Sequence, residues 1–184
     1  MLWHKLSELP VVSIVELRGR ARGAGSELAL AYAMRFAARE NAVLGQIEVG
    51  VGTTPGAGAV QHLARLMGRG RAMEAILGAD DFDAEQAERY GWINRALPDA
   101  ELDAFVARLA RRIASFPTEA VLSAKQALNE LTLPSADAIR ADARRFRKLV
   151  ASDPAKARTA ALFTQGLQTR NQLELDLGDR LESL

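Results

Sequence analysis

The chain has 184 residues, 48% of them hydrophobic, and 24 basic against 23 acidic side chains give a formal net charge of +1. That length and apolar content suit one domain with its own core, and the even charge balance argues against a generally basic nucleic-acid binder. With no cysteine, disulfides and thiolate metal sites are excluded and a reducing compartment is allowed. His4 and His62, the two histidines, cannot alone make a histidine-rich zinc site, so no metal is expected. The first residues hold no long apolar run and no stretch of roughly eighteen apolar residues occurs anywhere, so neither a signal peptide nor a membrane span is expected and the expected location is cytoplasmic.

In chain order, Leu2, Trp3 and Leu6 fit one face of a short helix that ends before Pro10. Residues 11–17, Val-Val-Ser-Ile-Val-Glu-Leu, read as a strand buried on both faces, as in a parallel sheet. A glycine-punctuated loop (18–25) leads into a helix from about Gly25 to Met34 carrying Leu28, Leu30, Ala31 and Ala33. Arg35–Ala38 and Val43–Gly45 read as strands. Residues 46–58 read as a loop, and a helix opening near Gly56 places Val60, Leu63, Ala64 and Met67 at helical spacing. Gly68-Arg69-Gly70 breaks it, and a further helix starts with Ala72, Met73, Ile76 and Leu77. Asp83-Ala84-Glu85-Gln86 has the pattern of a capping box, and Gly91 is well placed to end that helix. Trp92–Leu97 reads as extended. From about Asp99 the chain turns helical: Leu102, Phe105, Val106, Leu109, Ala110 and Ile113 form an apolar stripe, Pro117 opens a helix with Val121, Leu122, Lys125 and Leu128, and two more follow over 137–151 and 154–167. Asp153 as N-cap before Pro154 marks the start of the last, and beyond Thr169 the signal weakens. The organisation expected is a mixed α/β part, residues 1–98, and a helical part, residues 99–184, in one structural unit.

Two carboxylates stand out. Glu27 falls in the first turn of the helix after the glycine loop, and Glu48 in a glycine-flanked loop after a short strand. Two carboxylates facing one small volume do not easily both ionise, so one can hold a proton while the other accepts one. That pairing suits adding or removing water, or moving a proton. The backbone N–H of Ala24 or Gly25, at a helix N-terminus, could hold an enolate oxygen. The plainer readings are a dipole partner for Glu27 and a solvated loop residue for Glu48. A dinucleotide fingerprint fails because Leu28 stands at its third glycine position, and a phosphate loop fails because no Gly-Lys-Ser/Thr occurs. Arg18, Arg20 and Arg22 alternate, so an extended chain puts them on one side, to meet a phosphate or to form a solvated edge. His62 reads as surface or core filler, and Arg144, Arg145, Arg147 and Lys148 as a solvated helix face rather than a phosphate contact.

Several motifs in order carry a resemblance. Pro10-Val11-Val12, Gly23-Ala24-Gly25-Ser26-Glu27-Leu28-Ala29-Leu30-Ala31, Gly45-Gln46-Ile47-Glu48-Val49-Gly50 and Pro55-Gly56-Ala57-Gly58 resemble the enoyl-CoA hydratase/isomerase (crotonase) family. Downstream, Arg65–Glu74, Ala84–Ala87 with Gly91–Asn94, and Ala124–Leu128 look like it too, so the likeness covers about residues 10–130. The resemblance implies an α/β fold with a crotonase-like core of stacked β-β-α turns, shortened at its N-terminal side, and an α-helical C-terminal part. It implies an acyl-CoA thioester substrate of fatty acid metabolism, coenzyme A being part of the substrate and no separate cofactor, and a homo-oligomer, trimer or hexamer, with no nucleic-acid or membrane partner. By position, Glu27 and Glu48 match the catalytic glutamates, Ala24 the second oxyanion-hole donor, and Gly23, Gly25, Pro55 and Gly56 substrate-binding positions.

There are departures from the family's pattern. Ala24 replaces the usual glycine, Ile47 the usual proline, Ala33 an aspartate, and Gly58-Ala59-Val60-Gln61-His62 stands for Gly-Gly-Thr-Gln-Arg. The family's earlier loop that supplies the first oxyanion N–H has no counterpart in these residues. One such donor is worth roughly 10²–10³ in rate, so a catalytically incomplete subunit with a role only in association is the alternative expectation.

Overall fold

The computed structural model describes residues 2–183. Helix α1 (Leu2–Glu8) opens the chain. It docks through polar groups and not through the expected apolar face. His4 and Ser7 turn inward while Leu2 is exposed, and Ser7 Oγ donates to Ala31 O at 3.0 Å.

Two three-stranded sheets follow. The first is formed by β1 (Ile14–Leu17), β3 (Met34–Ala38) and β6 (Arg95–Leu97), in the order β1-β3-β6 and all parallel. Ile14 lies opposite Met34 and Phe36 opposite Arg95. The parallel pairing expected for residues 11–17 is present, but the strand is shorter and only half-buried, and Val11 is exposed. The reason is its place at the sheet edge, where only β3 flanks it.

The second sheet is β2 (Arg20–Arg22), β4 (Val43–Gly45) and β5 (Asp81–Asp83), with β2 and β4 parallel and β5 antiparallel to β4. The sequence reading missed β2 and β5, because each is three residues long with charged residues around a single buried one, Ala21 or Phe82. Successive turns of the chain feed one strand to each sheet, β1 then β2, β3 then β4, which is the stacked arrangement expected.

The alternating arginines serve this scaffold. Arg22 Nε donates to Asp81 Oδ1 at 2.6 Å, clamping the flanking strands across β4. Arg18 reaches Glu16, Asp99 and Asp103 at 2.6–2.8 Å, and Arg20 stays exposed.

Helix α2 (Ala24–Leu30) is shorter than expected, since Met34 already belongs to β3. Helix α3 (Ala59–Gly78) is kinked at Gly68, whose φ of 79° and ψ of 165° interrupt the helix where the glycine pair predicts a break. The capping box of α4 (Ala84–Tyr90) is complete: Asp83 Oδ1 accepts from Gln86 N at 2.7 Å, Gln86 Oε1 accepts from Asp83 N at 3.2 Å, and Gly91 closes the helix at φ 82°. Leu44, Leu63 and Trp92 are fully buried in the core between these elements, and Trp92 Nε1 donates to Ser26 Oγ at 3.2 Å.

Helix α5 (Asp99–Ala114) covers β1 and β3, burying Leu102 and Val106 beside Phe36 and Ala38. Helix α6 (Thr118–Thr132) buries no residue, and Leu128 and Leu131 are exposed. In α7 (Ala136–Val150) the basic residues Arg144, Arg145, Arg147 and Lys148 form the expected solvated face. The N-cap of α8 (Asp153–Thr164) is Ser152, one residue earlier than predicted, with its Oγ accepting from Ala155 N at 3.4 Å. The short helices α9 (Gln172–Leu175) and α10 (Leu177–Leu181) bring Leu173, Leu177 and Leu181 against Leu162 and Ala79, with Ile47 and Val51 packed on that cluster.

Leu44, fully buried at the centre of the second sheet, tests the core. Leu44→Ala is expected to cost about 2–5 kcal/mol in urea unfolding.

Candidate active site

The site is built where β2 runs into α2. Gly23 N donates to Gly45 O at 2.9 Å, extending the β2–β4 contact by one rung. Gly23 then turns the chain at φ 50° and ψ −119°, a conformation an L side chain rarely tolerates. Ala24 follows as the first helical residue and its φ is not positive, so the methyl group that replaces the family's usual glycine hydrogen meets no backbone strain. Glu27 N donates to Gly23 O at 2.9 Å and closes the first turn. The Ala24 N–H takes no part in the backbone bonds that tie this loop down, as expected of an orphan donor at a helix start.

Glu27 is 5% exposed. Its Oε1 accepts from Ala57 N at 2.7 Å and Ala59 N at 3.1 Å, in the turn that opens α3. Burial pushes its carboxyl above the usual range, while the N–H groups of Ala57, Ala59 and Gly58 pull it back and the Asp142 charge adds to the rise.

Glu48 is 8% exposed and sits on a tight turn whose Thr53 N and Thr53 Oγ1 both donate to Glu48 O, at 2.8 and 3.0 Å. Its Oε2 accepts from Gln46 Nε2 at 3.2 Å. Its Oε1 lies against the glycine loop: a Cβ added to Gly23 would sit 3.1 Å from it. Burial first, and then the Glu27 charge, push Glu48 up to about 7.

Of the positions singled out in the sequence, the structure gathers Glu27, Glu48 and the Gly23–Ala24 corner. Gly25 faces Ala21, where a Cβ would be in ordinary contact. Pro55 is fully buried, and a Cβ on Gly56 would lie 2.6 Å from Phe146 Cβ, so both hold the turn that carries Ala57 and Ala59 against α7. Arg170 is exposed. Among the described residues no cluster of three or more His, Cys, Asp or Glu could hold a metal ion.

Two contributors escaped the sequence reading. Gln46 is fully buried and holds Glu48; its signal was the Gln-x-Glu spacing, which puts both side chains on one side of an extended chain. The Ala57 and Ala59 donors are backbone groups, which residue identity does not mark.

Two predictions follow from this geometry. Gly23→Ala combines a strained φ with a 3.1 Å approach to Glu48 Oε1 and is expected to cost about 1–3 kcal/mol in chemical denaturation. Between the ordinary value of 4.5 and about 7, folded Glu48 keeps a proton that the unfolded chain releases. Stability from this group is therefore full below the ordinary value and falls as pH rises toward 7. Glu48→Gln is expected to melt higher than the parent at pH 8, with the gap narrowing toward pH 5.

The sequence model for "Enoyl-CoA hydratase/isomerase" matches residues 1–169. The chain is 36% identical over 165 residues to a "Probable enoyl-CoA hydratase" of Rhizobium meliloti, covering 89% of this chain and 63% of that protein. It is 43% identical over 123 residues to the crotonyl-CoA hydratase of Syntrophomonas wolfei, covering 67% of this chain and 46% of that one. A crystal structure from Streptomyces avermitilis, described as a "putative enoyl-CoA hydratase", superposes with a TM-score of 0.98 at 61% identity over 100% of this chain and 66% of its own. An enoyl-CoA hydratase structure from Mycobacterium avium subsp. paratuberculosis gives 0.81 at 28% identity, over 86% of this chain and 66% of its own. The chain thus spans between about half and two thirds of the length of the proteins it matches. The fold and these matches agree: the chain belongs to the enoyl-CoA hydratase/isomerase family.

Proposed function

We propose that this chain acts on the enoyl thioester of coenzyme A, adding water across the C2=C3 bond. The observation that carries the reading is the unequal setting of two buried carboxylates beside a helix start. Glu27 has two backbone N–H groups on one oxygen, which favours its ionised form. Glu48, held by its own backbone N–H and by the Gln46 amide, feels the Glu27 charge and is pushed up to about 7, which suits it to carry a proton near neutral pH.

The roles follow from that difference. Glu27 Oε2, which takes neither the Ala57 nor the Ala59 N–H, holds the water and takes its proton as the oxygen attacks C3. Glu48 gives its proton to C2. The Ala24 N–H meets the thioester oxygen as negative charge develops there, and the α2 start favours that charge. The product is the 3-hydroxyacyl thioester, and one proton passing from Glu27 to Glu48 through solvent restores the starting state. Moving a double bond requires only one proton shuttle, so the pair of acids favours hydration over isomerisation. The surface of α6, with no buried residue and with Leu128 and Leu131 open, supports the homo-oligomeric reading, trimer or hexamer.

Incubating the folded chain with crotonyl-CoA and following the loss of enone absorbance tests the proposal. Glu27→Gln and Glu48→Gln are each expected to lower the rate by about 10²–10⁴. No loss of absorbance at high concentration of folded protein would instead favour a subunit that only associates.

A further inference from the structure

Away from the glutamates, three cations share a cavity to which no acidic side chain among the described residues contributes. Arg35, on β3, is 6% exposed. Its Nε donates to Trp92 O at 2.8 Å and its Nη1 to Tyr32 O at 2.9 Å. These carbonyls satisfy hydrogen bonds but bring no net charge. Among the described residues Arg35 has no ion pair, and no hydrogen bond uses its Nη2. A buried guanidinium with no counter-ion is costly, and burial pulls Arg35 down to about 10.

Arg65 and Lys125 are in no ion pair among the described residues either. Arg65 Nη1 donates to Gln61 O at 2.8 Å, and Lys125 Nζ to Leu9 O and to Val11 O, the latter at 2.7 Å. Arg35, Arg65 and Lys125 line one cavity of about 280 Å³ together with Leu30, Leu66 and Leu133, and no aspartate or glutamate lines it. His62 borders the same space. Burial, then the charges of Arg35, Arg65 and His4, push it down to about 4, so it adds no counter-charge to the cavity at pH 7.

We propose that this cavity binds a small amphiphilic monoanion, a carboxylate on a short alkyl chain, with its charge on Arg35 Nη2 and its chain against the leucines. Opposite charge next to an uncompensated buried cation supplies the counter-ion the fold lacks. The volume lies at the small end of ligand pockets, which run from about 300 Å³ upward, and so selects a short molecule. The cavity takes in Leu30, at the far end of α2 from the Ala24 corner, so this site stands apart from the glutamate pair and does not depend on its chemistry.

Isothermal titration of the chain with hexanoate, hexanol and inorganic phosphate tests this. Ala33 and Arg65 both border the cavity and are exposed, so changing them spares the buried Arg35 clamp. Saturable binding of hexanoate is expected, with hexanol and phosphate at least about tenfold weaker. Ala33→Asp, which adds a carboxylate to the wall of the cavity that Arg35 lines, and Arg65→Gln are each expected to weaken hexanoate about tenfold or more, while Ala33→Asn keeps it. Failure of hexanoate to saturate overturns the proposal. So does hexanol or phosphate binding as well as hexanoate, or hexanoate binding unchanged in folded Ala33→Asp.

Discussion

The bond from the Ala57 and Ala59 N–H groups to the Glu27 carboxylate is the joint on which this face of the molecule depends. Helix α3 starts at Gly58 without a side-chain cap of its own, and the first N–H groups of a helix have no intrahelical acceptor. Glu27, thirty-two residues earlier than Ala59, supplies that acceptor. A negative group at a helix start is also favoured by the helix dipole. One acid thus ties the first turn of α2 to the turn that opens α3.

Glu48 shows what happens to a similar group without that support. It receives its own backbone N–H and the amide of Gln46, whose Oε1 is buried with no partner among the described residues. Ile47 and Val51, on either side of it, pack against the cluster made by Leu162, Leu173, Leu177 and Leu181. The C-terminal helices therefore dry the Glu48 loop from a distance, and a Cβ on Gly50 would already collide with Leu181. Burial by sequence-remote residues pushes this carboxyl up to about 7, while in its neighbour Glu27 the backbone donors work against the rise that burial causes. Two residues of one type come to differ through packing alone.

Charge is handled in two ways in this fold. Arg22 and Arg18 are matched to carboxylates and stitch strands to strands and to α5. Among the described residues Arg35 is matched only to carbonyl oxygens. The first arrangement ties charged groups to one another across elements, and the second gives a buried cation hydrogen bonds without an ion pair among the described residues.

Much of this was legible in the residues. The apolar runs at 35–38 and 43–45, the Asp83–Gln86 box, the Gly68 break and the stripe of α5 are local signals, and local backbone chemistry honours them. So are Glu27 and Glu48 as candidates, since their place beside glycine-rich turns can be read from the order of residues. What order alone did not reveal is contact across the chain. The strands β2 and β5 exist because β4 lies between them and Arg22 meets Asp81; neither has a hydrophobic pattern to announce it. The edge position of β1, the polar docking of α1 and the backbone donors on Glu27 likewise arise only when distant segments meet. The sequence determined which side chains could ionise. Tertiary structure decided how far each is pushed from its ordinary value, because burial and hydrogen-bond donors come from residues far along the chain.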